Sequence, residues 1–179
     1  MIRVISGIYK GKRLKRVMSP LVRPMSDKLK GALFNILREE VRGKVVLDGF
    51  AGTGSLGIEA LSRGAERVVF VDDFYSAVKV IWANLEKCGA EAKGRIIRKD
   101  FNRAVIQLAK EREKFDLIFL DPPYKLLEER NPLKVIKKRE ILKPGGKIIL
   151  RHHHKIKFEA KHFELKRQVT IGEDTISFY

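Results

Sequence analysis

The chain has 179 residues, 44% of them hydrophobic and 8% aromatic, which suits one globular domain with a sizeable core. Its 38 Lys and Arg against 22 Asp and Glu leave a net +16 at neutral pH, far more than solubility requires, and point to a polyanionic partner. No apolar run long enough to span a bilayer and no signal-like N-terminus occur, so the expectation is a cytoplasmic protein with no membrane partner, and the single Cys88 is expected to pack inside a helix.

The charge is unevenly placed. Residues 1–30 carry nine basic and one acidic side chain, 31–124 fifteen and fourteen, 125–168 fourteen and five, and 169–179 two acids alone. Two basic blocks around a nearly neutral middle look like the sides of a nucleic-acid groove rather than a lysine-rich surface of mixed sign. Residues 2–18 alternate loosely between apolar and basic, predicting two or three short strands that turn at Gly7 and Gly11. This basic hairpin has too few apolar residues for a core of its own, so it is read as an appendage whose Lys10, Lys12 and Arg13 contact phosphate. Pro20 and Pro24 bracket a loop, after which Ser26 or Asp27 caps a helix with Leu29, Leu33, Ile36 and Leu37 on one face, running to about Val41 and ended by Gly43. Arg23, Lys28 and Lys30 lie near its start, facing substrate phosphate or solvent.

From Lys44 the pattern becomes strand, glycine loop, helix, strand, which is one βαβ unit. Gly52 and Gly54 let the backbone approach a ligand at the carboxyl end of the first strand, and Asp72 ends the second strand where an acid takes two ribose hydroxyls. Gly52-x-Gly54-x-x-Gly57 also satisfies the dinucleotide fingerprint, so spacing alone leaves a nicotinamide oxidoreductase open. Asp48 separates the two: a carboxylate opening the loop repels a pyrophosphate and welcomes a ligand that carries an amino acid and a sulfonium. That favours S-adenosyl-L-methionine, held by Asp48, Phe50, Ala51, Gly52, Thr53, Gly54 and Asp72.

The next helix is predicted to bury Val78, Ile81, Trp82 and Leu85. Residues 95–100 read as a strand ending in Asp100, suited to an adenine amino group, and 101–112 as a helix through Val105 and Leu108. Phe115 to Leu120 then run a buried strand into Asp121-Pro122-Pro123-Tyr124. Two prolines have no N–H to donate, so strand pairing stops there and the loop is rich in acceptors. An exocyclic amine on a planar base asks for that set: two acceptors for its two hydrogens and an aromatic face under its ring. Four parallel strands therefore end in Asp48, Asp72, Asp100 and Asp121, along the edge where open α/β sheets bind ligands. Past the loop, 126–142 read as mostly helical with a break near Pro132, Pro144-Gly145-Gly146 turns into a strand at 147–150, and 163–169 with 175–179 form an antiparallel hairpin. His152, His153 and His154 alternate faces along a strand, so at most two share a metal, and no metal site is expected.

With these residues in view, the chain resembles class I S-adenosylmethionine-dependent methyltransferases, and more narrowly the RsmD family of bacterial 16S ribosomal RNA guanine-N2 methyltransferases. The resemblance rests on Arg3-Val4-Ile5-Ser6-Gly7 with Lys10-Gly11-Lys12, on Arg23-Pro24-Met25-Ser26-Asp27 leading to Ala32-Leu33-Phe34-Asn35, on Phe50-Ala51-Gly52-Thr53-Gly54 with 56–65, and on Asp121-Pro122-Pro123-Tyr124. It implies an α/β, Rossmann-like fold with a seven-stranded, mostly parallel sheet and an antiparallel C-terminal hairpin. Residues 1–22 then form the basic hairpin and 23–179 the methyltransferase domain. It also implies a monomer acting on 16S ribosomal RNA or the small ribosomal subunit. Asp121 and the Pro122 carbonyl would accept the amine's hydrogens and Tyr124 would stack on the base. A DNA adenine-N6 methyltransferase shares the loop but needs a target-recognition domain that 179 residues leave no room for; a noncatalytic RNA-binding module has no use for an intact Asp121 and Tyr124. Three positions depart from the family pattern: Asp72 stands for Glu, Gly49 for a larger apolar residue, and Arg151 where the family tends to an acid.

Overall fold

Residues 2–18, 24–123, 126–127, 130–156 and 160–179 are described by the computed structural model. In chain order they form β1 (Ile2–Arg3), β2 (Arg13–Leu14), α1 (Asp27–Leu37), β3 (Val45–Gly49), α2 (Ser55–Ser62), β4 (Arg67–Asp72), α3 (Tyr75–Cys88), β5 (Gly94–Arg98), α4 (Phe101–Lys110), β6 (Phe115–Leu120), α5 (Pro132–Arg139), β7 (Leu142–His153), β8 (Arg167–Ile171) and β9 (Asp174–Phe178). The last seven strands make one sheet in the order β5-β4-β3-β6-β7-β9-β8. Strands β5 to β7 run parallel, and β9 is antiparallel to both β7 and β8. This is the mostly parallel seven-stranded sheet with an antiparallel C-terminal hairpin that the resemblance implied.

Alternation along the strands decides which helix lies on which face. Val46, Val68, Phe70, Phe119 and Ile149 pack with α1, α2 and α3, while Val45, Leu47, Val69, Val71, Ile118 and Leu150 pack with α4 and α5. Strands buried on both faces need helices on both, and the parallel crossovers supply them. Among the described residues no helix is long and apolar enough to cross a membrane.

Several elements differ from expectation in their limits. The first helix is capped by the Ser26 side chain but its regular turns stop at Leu37, where Arg38 adopts a φ of 46°, and a 3-10 turn carries the chain to Val41. The seventh strand starts at Leu142 rather than after the glycines, because 143–146 form a bulge opposite the bend between Phe115 and Leu117. The third helix buries Ala77, Ile81, Asn84, Leu85 and Cys88, so its core stripe is rotated from the predicted one and Trp82 is 51% exposed. The placement of Cys88 inside that stripe agrees with expectation.

The N-terminal segment is anchored by side chains that periodicity did not single out. Glu59, on α2, is fully buried and accepts the backbone N–H groups of Ile5 (2.8 Å) and Ser6 (3.0 Å). It also takes Arg63 Nε at 2.9 Å and lies 3.6 Å from Lys30 Nζ. Lys30 therefore faces neither phosphate nor solvent: it is 1% exposed and donates to the Arg3 carbonyl at 2.7 Å. One turn on, Ser62 accepts the N–H of Tyr9 and donates to the Ser6 carbonyl. Ile2, Val4 and Leu14 then enter the same apolar layer as α1 and α2. Removing one member of a buried ion pair leaves its partner uncompensated, so Glu59→Ala is expected to lose about 3–5 kcal/mol of stability in urea unfolding. Adding Lys30→Met should recover part of that loss, and an additive double mutant would mean that the two side chains do not interact.

Candidate functional site

Sheet order reverses between β3 and β6, whose outward connections go to opposite sides, and open α/β sheets bind ligands in the crevice at such a point. Asp48, next to last in β3, and Asp121, directly after β6, stand at the carboxyl ends of these two neighbouring strands. Asp72 ends β4, and Asp100 lies two residues past β5. All four predicted carboxylates are thus along one edge of the sheet.

Each is also engaged by the fold. Asp48 is 2% exposed and accepts the Gly57 N–H at 2.9 Å, near the start of α2, where an acceptor satisfies a helix donor and meets the positive end of the dipole. Asp72 accepts from Gly52 (2.8 Å) and Phe74 (3.0 Å), bracing the glycine loop while keeping lone pairs for other donors. Asp100 caps α4 through the N–H groups of Asn102 and Arg103 and pairs with Arg130 at 3.3 Å.

The loop between these acids is built for close approach. Gly52 and Gly54 have φ of 54° and 75°, and Phe50, a non-glycine, is held at 121° with its N–H and that of Ala51 bonded to the Val71 carbonyl. Phe50 stacks on Phe101 with ring centroids 4.8 Å apart. A Cβ on Gly49 would collide with the Phe101 ring, which accounts for glycine at this departure from the family pattern; a Cβ on Gly57 would collide with Phe70 beneath α2. Thr53 is buried, and its carbonyl accepts from Asn84, a polar residue in the core stripe of α3 that also exchanges two hydrogen bonds with Lys15. Asn84 thereby joins the glycine loop to the basic N-terminal segment. An asparagine inside an apolar stripe was the available signal for it.

At the other side of the crevice, Arg151 on β7 is 4% exposed and donates through Nη1 to both Asp121 oxygens, at 3.0 and 3.3 Å. Its Nε and Nη2 reach the two oxygens of Asp174 at the start of β9. The departure noted in the sequence is therefore a buried Asp–Arg–Asp bridge at the start of the Asp-Pro-Pro loop. Pro122 is buried beside Asp121. Tyr124 and Arg23, the remaining predicted site residues of the loop and the α1 start, lie outside the described residues. Lys10, Arg13 and Lys28 are exposed, whereas Lys12 is half-buried and donates to the Lys87 carbonyl at the end of α3. His152 lies buried against Ser177, and His153 and His154 stack on each other.

Burial raises the Asp48 carboxyl to about 7, with Asp121 and Asp72 adding repulsion and the Gly57 N–H opposing it. Burial also raises Asp72, against two backbone N–H bonds, and raises Asp121, against the pull of Arg151. Cationic groups placed in this crevice restore the charged carboxylates, so a ligand carrying an ammonium and a sulfonium fits the donor set.

A parallel five-stranded core closed by an antiparallel pair, with a glycine loop after β3 and Asp-Pro-Pro at the end of β6, defines a class I methyltransferase. The family described as Conserved hypothetical protein 95 matches residues 2–179. YlbH of Bacillus subtilis is 37% identical over 180 residues, covering 99% of this chain and 98% of its own. Ribosomal RNA small subunit methyltransferase D of Haemophilus influenzae is 33% identical over 149 residues, covering 82% and 76%. The chain belongs to this RsmD family. Among solved structures, a hypothetical protein of Thermus thermophilus superimposes with a TM-score of 0.86 at 26% identity, covering 99% of this chain and 98% of that one. An RNA methyltransferase of Salinibacter ruber, solved with S-adenosyl-L-homocysteine, shares the fold at a TM-score of 0.68 and 18% identity, covering 88% and 92%.

The Asp48 carboxyl gives a stability signature. Its folded value of about 7 lies above the ordinary 3.8, so the folded state holds a proton that the unfolded state releases, and the protein loses stability as pH rises from about 4 to about 7. Asp48→Asn removes this dependence. In urea unfolding the variant is expected to gain on the wild type between pH 5 and pH 8; a constant difference would mean that Asp48 titrates alike in both states.

Proposed function

We propose that the chain transfers a methyl group from S-adenosyl-L-methionine to the N2 amine of a guanine in 16S ribosomal RNA, acting as a cytoplasmic monomer on the small ribosomal subunit. The observation that carries this reading is the pair of carboxylates at the switch point, Asp48 under the glycine loop and Asp121 at the start of an acceptor-rich loop. Support for the RNA comes from the net +16 charge and from relatives named as small-subunit ribosomal RNA methyltransferases.

The methyl donor, when bound, supplies an activated methyl on a positively charged sulfur. Asp48 would face its cationic part, Asp72 would accept from the ribose hydroxyls and Asp100 from the adenine amine, with Phe50, Ala51, Gly52, Thr53 and Gly54 forming the wall. On the acceptor side, Arg151 holds the Asp121 carboxylate by both oxygens, leaving their other lone pairs for an amine N–H. The Pro122 carbonyl takes the second N–H, and Tyr124 stacks on the base. With both hydrogens engaged, the nitrogen lone pair turns out of conjugation toward the methyl. Catalysis is then largely positioning. As the nitrogen gains positive charge, Asp121 stabilises it and accepts the released proton.

Nucleoside mass spectrometry of small-subunit RNA incubated with the protein and labelled S-adenosylmethionine is expected to show N2-methylguanosine. Label in N6-methyladenosine, or no label at all, overturns the reading. Asp121→Ala should lower single-turnover transfer by about 10²- to 10³-fold while cofactor and RNA affinity change little, because the charge acts in the transition state.

Arg151 gives a pH test of the same site. Asp121 is faced by Arg151 from β7, by Asp174 from β9 and by Asp48 from β3, and only Arg151 lowers its pKa. Arg151→Met should therefore move the acid limb of the transfer rate to higher pH. An unmoved limb would mean that Asp121 is not the group whose ionisation controls the rate.

A further inference from the structure

The rotated core stripe of α3 turns a second set of side chains outward. Tyr75, Lys79 and Trp82 follow at i, i+4 and i+7, which places them in one row along the helix. Tyr75 is 55% exposed and Trp82 51%, and Phe74 just before them is 45% exposed. Two cations meet the first of these rings: Lys79 Nζ lies 4.6 Å from the Tyr75 ring centroid and Arg98, at the end of β5, lies 5.2 Å from it. The basic N-terminal segment is tied alongside the same helix, through Asn84 to Lys15 and through Lys12 to the Lys87 carbonyl. Glu86, one turn past Trp82, marks where the basic character of the row ends.

Two exposed rings, Tyr75 and Trp82, on one helix row with Lys79 between them and Arg98 beside Tyr75 are unsuited to plain solvent, and a solvated helix face would carry polar residues in place of Tyr and Trp. It is equally unsuited to an apolar protein partner, since burying Lys79 and Arg98 without carboxylates is costly. Unpaired nucleic acid supplies what both groups need, flat bases for the rings and phosphates for the cations. We propose that the outer face of α3, with Tyr75, Trp82, Lys79 and Arg98, binds a single-stranded stretch of RNA flanking the target nucleotide. The face adjoins the cofactor edge, since α3 starts at Tyr75, three residues after Asp72, so RNA bound on it is led toward the site. This inference rests on the RNA reading above and adds a contact surface to it.

Trp82 is the only tryptophan in the chain, so its fluorescence reports on this face alone. Titration of the full-length protein with a mixed-sequence single-stranded oligoribonucleotide is expected to quench that fluorescence. Trp82→Ala should weaken binding of the oligonucleotide about tenfold, with Trp82→Phe restoring most of it, because any aromatic face stacks. Lys79→Gln with Arg98→Gln should lower the salt dependence of binding, while calorimetric affinity for S-adenosylmethionine stays at wild type in Trp82→Ala. Ribosomal RNA methylated by a protein whose Trp82 fluorescence and Trp82→Ala affinity are both unchanged would overturn the surface and leave the activity standing. A wild type that neither binds nor methylates RNA would overturn both.

Discussion

The bond from the Gly57 N–H to the buried Asp48 carboxylate is the constraint on which the arrangement of the site depends. It sets the start of α2 against the end of β3, and with the Asp72 bond to Gly52 it leaves the intervening loop one path. Once α2 is placed, Glu59 and Ser62 on it fall where the N-terminal backbone docks. A single helix thus carries the ligand loop at one end and the basic segment further along. The cost is a carboxyl raised to about 7, which lowers stability near neutral pH.

The Asp121–Arg151–Asp174 bridge plays the corresponding part at the end of β6. A carboxylate at the end of a buried strand is desolvated, which favours its neutral form. The guanidinium opposes this and fixes the carboxylate's orientation, and Asp174 balances the remaining charge while joining the bridge to the C-terminal hairpin. The antiparallel pair therefore does more than close the sheet. It brings a second acid to the only buried arginine seen at this edge among the described residues.

Much of this was legible residue by residue. The βαβ unit, the strand-end acids and the Asp-Pro-Pro break follow from alternation, glycine spacing and the missing proline N–H, all of them local. A cap at Ser26 or Asp27 and the C-terminal hairpin follow from turn chemistry of the same short range, and the fold uses Ser26. The helix faces were harder. In α3, Val78-Ile81-Trp82-Leu85 and Ala77-Ile81-Leu85-Cys88 are overlapping stripes that share Ile81 and Leu85, and the structure buries the second, with Asn84 between them. Trp82 is left 51% exposed.

What the sequence by itself determined is the class of fold and the place of four acids along one edge of the sheet, since each is written in residues a few positions apart. Only the tertiary structure decided which charges are inside and which are out. Lys30 and Glu59 meet across 29 residues and Glu59 and Ile5 across 54, and nothing in either local pattern separates such a buried lysine from a surface one. The same holds for Arg151, which is basic in a basic segment until β6 and β9 enclose it between two acids. A charge is stable inside only where its partners converge, and that convergence is a property of the folded chain.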